Sequence, residues 1–120
     1  MNKAPEPEPK QITFEDFLAV DMRVGTILSA IPNPKAQKPA YILHIDFGPR
    51  IGHKVSSAQI TQNYTQDQLI GMQVVAILNF PPRRIAGVKS EVLVLGALDE
   101  ERGVILLTPT LPTQNGSRIG

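Results

Sequence analysis

The run NFPPRRIAGVKSEVLVLG, residues 79–96, decides how the rest of this chain is read. Two apolar segments with strand character, residues 73–80 and 91–97, flank a loop that opens on Pro81-Pro82. Neither proline has an amide hydrogen to give a sheet ladder, so the first strand is expected to stop there. Both faces of residues 73–80 are apolar, which fits a strand covered on both sides. The loop then places Arg83, Arg84 and Lys89 within seven residues, and Glu91 is the first acid after them. Gly87 lets the backbone turn. A cationic loop held between two buried strands presents charge to an anionic partner, or it is a solvated turn. The loop alone leaves both readings open.

The charge map tilts that balance. Formal net charge is only +1, which by itself argues against a nucleic-acid protein. Residues 22–90, however, carry eight cations (Arg23, Lys35, Lys38, Arg50, Lys54, Arg83, Arg84, Lys89) against two acids, Asp46 and Asp67. Residues 1–21 hold two lysines against five acids, and residues 91–120 two arginines against four. The middle is basic and both ends are acidic, so a basic face is expected. The acidic termini then leave that face or meet the same termini of a second copy.

A chain of 120 residues, 42% hydrophobic, is one domain with one core. It contains no cysteine, which removes thiol nucleophiles, thiolate metal sites and disulfides and agrees with a cytoplasmic setting. The opening MNKAPEPEPKQ has no apolar stretch of the secretory kind, and no run approaches the ~18 residues of a membrane span, so no membrane insertion is expected. Residues 1–12, with alternating Pro and Glu, read as a disordered tail, and residues 13–120 as the folded domain.

Along that domain, Thr13 with Asp16 three positions on has the spacing of a capping box. It opens a short helix whose apolar face is Phe14, Phe17 and Leu18, too short to stand without packing on something. Residues 22–31 are β-branched and apolar, with Gly25 for a bend. Residues 41–47 alternate: Tyr41, Leu43, Ile45 and Phe47 on one side, Ile42, His44 and Asp46 on the other. Residues 51–57 form a weaker strand, residues 58–70 hold a helical turn or two ended by Gly71, and the two strands of the opening run follow. A short apolar run, residues 104–107, and a Pro/Gly-punctuated extension, residues 109–120, close the chain. Three strands, a short helical segment and two strands is the order of an all-β, five-stranded OB-fold barrel. Here it carries an added N-terminal helix and a C-terminal extended segment.

Catalytic constellations are missing. His44 and His53 lack the cysteines or paired carboxylates a metal site requires, Ser56-Ser57 has no flanking glycine or identifiable base, and there is no glycine-rich phosphate loop. No enzyme, metal or cofactor is expected, and a binding module is favoured.

These residues resemble the tRNA-binding domain family, the OB-fold module appended to several aminoacyl-tRNA synthetases and their cofactors. The matching runs are DMRVGTI (residues 21–27), VSS (55–57), NFPP (79–82), GVKSE (87–91) and the closing NGSRIG (115–120). Within the family, SSAQIT (56–61) and residues 79–96 are similar to the stand-alone CsaA-type chaperones. The resemblance implies the barrel, a homodimer, a basic binding face and a link to protein export. Two departures from the general RNA-binding pattern stand out. Ser57-Ala58 replaces Ser-Gly, and FPPRR replaces a lysine-rich, leucine-containing loop, so the tRNA contacts of relatives do not all carry over.

Two functions follow. In the first, the chain holds unfolded or export-destined preproteins and meets the export machinery. Phe80, Pro81, Pro82, Arg83, Arg84, Ile85, Lys89 and Ser90 would form an apolar patch rimmed by cations. In the second, tRNA is bound by shape. Lys35, Lys38, Lys54 and the loop cations would meet phosphates, with Ser57 beside them, and Tyr41 or Phe47 would offer a stacking face. Phe47 shares a face with Leu43 and Ile45, which favours burial. The homodimer interface is expected around Phe14, Phe17, Leu18, Pro109, Leu111 and Ile119. Arg23 is expected to be structural, with Glu91 as its carboxylate.

Overall fold

Thr13 caps the first helix as its spacing requires. Its hydroxyl accepts from the Asp16 amide at 3.1 Å, and the Asp16 carboxylate accepts from the Thr13 amide at 2.9 Å. The resulting helix α1, Phe14–Ala19, buries none of its six residues. Its Phe14 and Phe17 rings lean on each other, centroids 6.0 Å apart, and Phe14 stays 72% exposed. The other end of α1 is tied down. Asn79 donates to the Ala19 carbonyl and Arg118 to the Leu18 carbonyl, which satisfies acceptors the helix leaves open. The computed structural model describes residues 6–120; residues 6–12 have no regular secondary structure, and the first five residues of the expected tail lie outside the described residues.

The barrel is built from β1 (Met22–Pro32), β2 (Tyr41–Asp46), β3 (His53–Ala58), β4 (Gln73–Ile77) and, after two short strands described below, β7 (Leu93–Val94). Helix α2, Gln66–Leu69, lies between β3 and β4; Thr65 caps it and Gly71 follows it at a φ of +88°. The main sheet is antiparallel in the order β3-β2-β1-β4-β7. It is the OB-fold order, three strands, helix, two strands.

The long β1 belongs to both halves of the barrel. Its register against β2 slips between Ile27 and Ser29, so the bulge at Leu28 bends it. Gly25 contributes room: a Cβ there would come within 2.6 Å of Ile45 and 2.7 Å of Phe47. The alternation of β2 is reproduced, with Tyr41, Leu43, Ile45 and Phe47 all buried in the core with Ile27, Leu69 and Val74.

Side chains close the barrel where main-chain ladders do not reach. The Glu91 amide donates to the Val55 carbonyl at 2.8 Å, and the Glu91 carboxylate accepts from the Val55 amide at 3.1 Å. Ser90 Oγ accepts from the Ser57 amide at 3.0 Å. The VSS and GVKSE runs therefore meet across the closure. NGSRIG lies along the start of β1 where β2 has already ended: Gly116 donates to Val24, Val24 to Ser117 and Ile119 to Met22. The extension is extended, as expected, and its bonds take up the free edge of β1.

Several expectations are corrected. Strand β4 ends at Ile77, short of the prolines, because Asn79 turns its amide to Ala19 and Asp21. Residues 91–97 do not form one strand, since Glu91 is drawn to β3 and Gly96 already starts β8 (Gly96–Asp99), which pairs with β9 (Gly103–Leu106). Arg23 does not pair with Glu91. Its Nε meets Asp21 at 2.6 Å and its Nη1 donates to the Gly116 carbonyl, while Glu91 faces Lys54 at 4.0 Å.

Candidate ligand-binding site at the β5–β6 hairpin

The segment after the prolines is a hairpin, not a loop. β5 (Arg83–Ile85) and β6 (Val88–Ser90) pair around Ala86-Gly87. Both turn residues have positive φ, +47° and +82°, the geometry of a type I′ turn whose twist matches the strands. Gly87 adopts this at little cost; Ala86 is the one residue other than glycine with positive φ among those described.

A second loop clasps this turn. Asn33, buried at the end of β1, donates from Nδ2 to the Ala86 carbonyl at 3.3 Å, and its Oδ1 accepts from the Lys35 amide at 3.0 Å. The Lys35 side chain lies over Gly87, so close that a Cβ there would meet its Cδ at 3.2 Å. The β1–β2 loop and the hairpin tip are thereby one unit. Asn33 carried no signal in the sequence beyond being a loop asparagine.

Pairing register sorts the hairpin's side chains. Arg83 faces Ser90 and Ile85 faces Val88 across the ladder, on one side of the ribbon; Arg84 and Lys89 pair on the other. The first side lines a cleft of about 390 Å³ with Ser57, Phe80, Pro81, Val92 and Leu93. Phe80 is 52% exposed at its mouth. Apolar carbon dominates this lining, and Arg83 is its uncommitted charge, because the Glu91 carboxylate is held by Val55 and Lys54. Arg83, Arg84 and Lys89, expected together as a ligand-contacting edge, are divided by the register: Arg83 is on the cleft side and the other two are on the opposite side.

The remaining candidates fall into groups. Lys35 and Lys38 are exposed in the β1–β2 loop, and neither joins an ion pair among the described residues. Lys54 is half-buried, its Nζ 4.0 Å from the Glu91 carboxylate. Tyr41 offers no stacking face: it is 8% exposed and its hydroxyl donates to the Tyr64 carbonyl at 2.8 Å. Phe47 is in the core, and Ser57 sits on the cleft wall. Pro82 leads into β5 outside the cleft lining. No group of histidines, aspartates and glutamates able to hold a metal occurs among the described residues. None of their helices is long and apolar enough to cross a membrane.

Residues 22–118 match the family model "Putative tRNA binding domain". The chain belongs to this family. The chaperone CsaA of Bacillus anthracis is 50% identical with a TM-score of 0.87, covering 92% of this chain and all (100%) of that one. The CsaA chaperone protein of Picrophilus torridus gives 50% and 0.86 over the same shares. Among curated relatives, the methionine–tRNA ligase of Porphyromonas gingivalis is 34% identical over 113 residues, 94% of this chain and 16% of the ligase. The chain thus spans about a sixth of that enzyme's length and corresponds to an appended module. Within the family, full-length structural similarity and identity align it with the CsaA chaperones.

Proposed function

We propose that this protein is a homodimeric, chaperone-like module that holds unfolded or export-destined polypeptides in the cytoplasm, on a tRNA-binding-type barrel. The observation that carries this reading is the cleft beside the hairpin. It is apolar, open to solvent, large enough for one or two side chains, and built on a clasped, stiff ribbon. Unfolded chains expose the apolar side chains such a cleft takes up, and a preformed cleft spends little ordering entropy on them. The likeness to two CsaA chaperones supports the same reading. Docking with the export machinery is the step that would deliver such a polypeptide.

For dimerisation the support is a set of exposed apolar side chains outside the cleft. Phe14 and Leu18 of α1, Leu111 of the C-terminal segment and Leu98 of β8 are exposed. Pro109 and Ile119 are half-buried within the chain itself. A two-fold contact through these leucines and Phe14 would bury more than ~1,000 Å² in total. Light scattering at micromolar concentration tests it: a monomer contradicts the proposal.

tRNA binding is the second reading, favoured by Arg84 and Lys89, exposed on the side of the hairpin away from the cleft, and by the exposed Lys35 over its turn. One experiment separates the two. A reduced, carboxymethylated model polypeptide and bulk tRNA are each titrated at several salt concentrations. Capture by apolar contact barely responds to salt, whereas phosphate binding weakens log-linearly with it. Salt-insensitive polypeptide binding supports the chaperone reading; steep salt dependence with tRNA alone bound supports the other.

A further inference from the structure

The hairpin has one edge that nothing among the described residues covers. β6 lies against β3 on its far side, whereas β5 pairs with β6 alone. Next to a two-residue type I′ turn, Ile85 and Val88 form the hydrogen-bonded pair. Ladder alternation then turns the N–H and C=O of Arg84 away from β6. Neither group finds a backbone partner elsewhere among the described residues. The Arg84 guanidinium leans back to the Gly87 carbonyl at 3.1 Å instead of covering that edge. Pro82, two residues earlier on the same edge, has no N–H, so the edge is short and centred on Arg84.

The cleft adjoins this edge. Arg83 and Ile85 flank Arg84 and line the cleft wall with Phe80 and Leu93. A strand laid beside β5 would direct every second side chain to that same side of the ribbon. We infer that a captured polypeptide binds as an added β-strand: the main chain of Arg84 holds its backbone, and one apolar side chain next to the paired position enters the cleft. The inference rests on the polypeptide-holding reading and specifies its ligand as an extended segment with an apolar anchor. Main-chain bonding asks nothing of the sequence bound, which is what a holder of varied unfolded chains requires. The contrary possibility is an edge kept from pairing by its shortness, its arginines and its proline.

Backbone N-methylation decides between them. A short fluorescein-labelled peptide with one central leucine in a serine and threonine frame is compared by anisotropy with two N-methylated forms. One form is methylated at every second residue, the other at the residues between. Strand addition predicts that one form binds roughly tenfold more weakly than the other, because only one register donates to the edge. Equal affinities for the two forms, at whatever level, overturn strand addition and leave polypeptide capture standing. If the unmethylated peptide and the carboxymethylated polypeptide both fail to bind, the capture reading itself falls. A second test keeps the ligand fixed. Arg84→Pro removes the edge N–H at a position where proline is sterically admissible, and Arg84→Ala serves as its reference so that loss of the guanidinium cancels. With melting temperatures matched to within a few degrees, the proline variant should bind the peptide roughly tenfold more weakly than the alanine variant. Equal binding by the two variants overturns the inference.

Discussion

Two ribbons project from the barrel sheet, and they differ in what they expose. The β5–β6 hairpin carries Arg83, Arg84 and Lys89 and borders a cleft. The β8–β9 hairpin carries Asp99, Glu100 and Glu101 at its tip and presents Leu98, 83% exposed, on the face opposite to Ile105. Each is pinned by one asparagine from a distant loop. Asn33 donates to Ala86 in the first; Asn63 donates to Arg102 and Val104 in the second, at 2.6 and 2.9 Å. The same local device serves a cationic ribbon beside a cleft and an acidic-tipped ribbon that exposes a leucine. Under the proposed function the first ribbon takes the ligand, and Leu98 of the second joins Phe14, Leu18 and Leu111 in the self-association contact.

The largest effect is expected at the β8–β9 ribbon. If the chain dimerises as proposed, Leu98→Asp should weaken the dimer by about 2 kcal/mol or more, since a charge at an apolar anchor is left desolvated. Sedimentation across a concentration series reads this, and polypeptide affinity per chain should be kept. A dimer unmoved by the change would place self-association elsewhere. Next come the pins. Asn33 is buried, so Asn33→Ala leaves the Lys35 amide and Ala86 carbonyl without their partner and should cost about 1–3 kcal/mol. Asn63 is exposed, and Asn63→Ala should cost about 0.5–1.5 kcal/mol. Denaturant melts of both variants check the order; reversal would mean that the first hairpin stands without its clasp.

Smaller again is Arg23→Ala. With Asp21 as its partner and the Asp21 side chain 34% exposed, the loss should be about 1 kcal/mol, below the 3–5 kcal/mol of a fully buried pair. At the bottom of the scale, Arg84→Ala with Lys89→Ala should leave stability within about 0.5 kcal/mol. If tRNA is bound, the pair should shallow its salt slope by roughly 0.7–0.9 per contact removed. Arg83→Ala, on the other side of the ribbon, should change that slope less. An equal change of slope per cation removed in the pair and in Arg83→Ala would mean that the register does not divide the cations functionally.

What the residues revealed before the structure follows from how local the physics is. The Thr13–Asp16 box, the alternation of β2 and the turn at Gly87 depend on near neighbours, and all three occur as read. The hairpin was hidden because Ala86-Gly87 lacks the Asn-Gly or Asp-Gly pair that usually announces a type I′ turn. It is held in part by Asn33, 53 positions away in sequence. Tyr41 looked available for stacking because its hydroxyl partner, the Tyr64 carbonyl, is 23 positions away. Glu91 looked like a charge partner for Arg23, yet it spends its carboxylate on the Val55 amide to close the barrel. Nothing in a strand's own sequence announces a side chain that replaces a ladder bond. The stretch read first does border a cleft, and the ladder, which its sequence did not reveal, divides its cations between two faces.

The measurement that bears most directly on this division is the affinity of the carboxymethylated polypeptide for the parent and for a Phe80→Ser, Ile85→Ser double variant. Phe80 is half-exposed and Ile85 is outside the buried core, so the fold should survive, which a melt checks alongside. Removing two apolar walls of the cleft should weaken binding by roughly 2 kcal/mol, about thirtyfold, at every salt concentration. A folded double variant that holds the polypeptide as tightly as the parent would contradict the assignment of the cleft as the binding site.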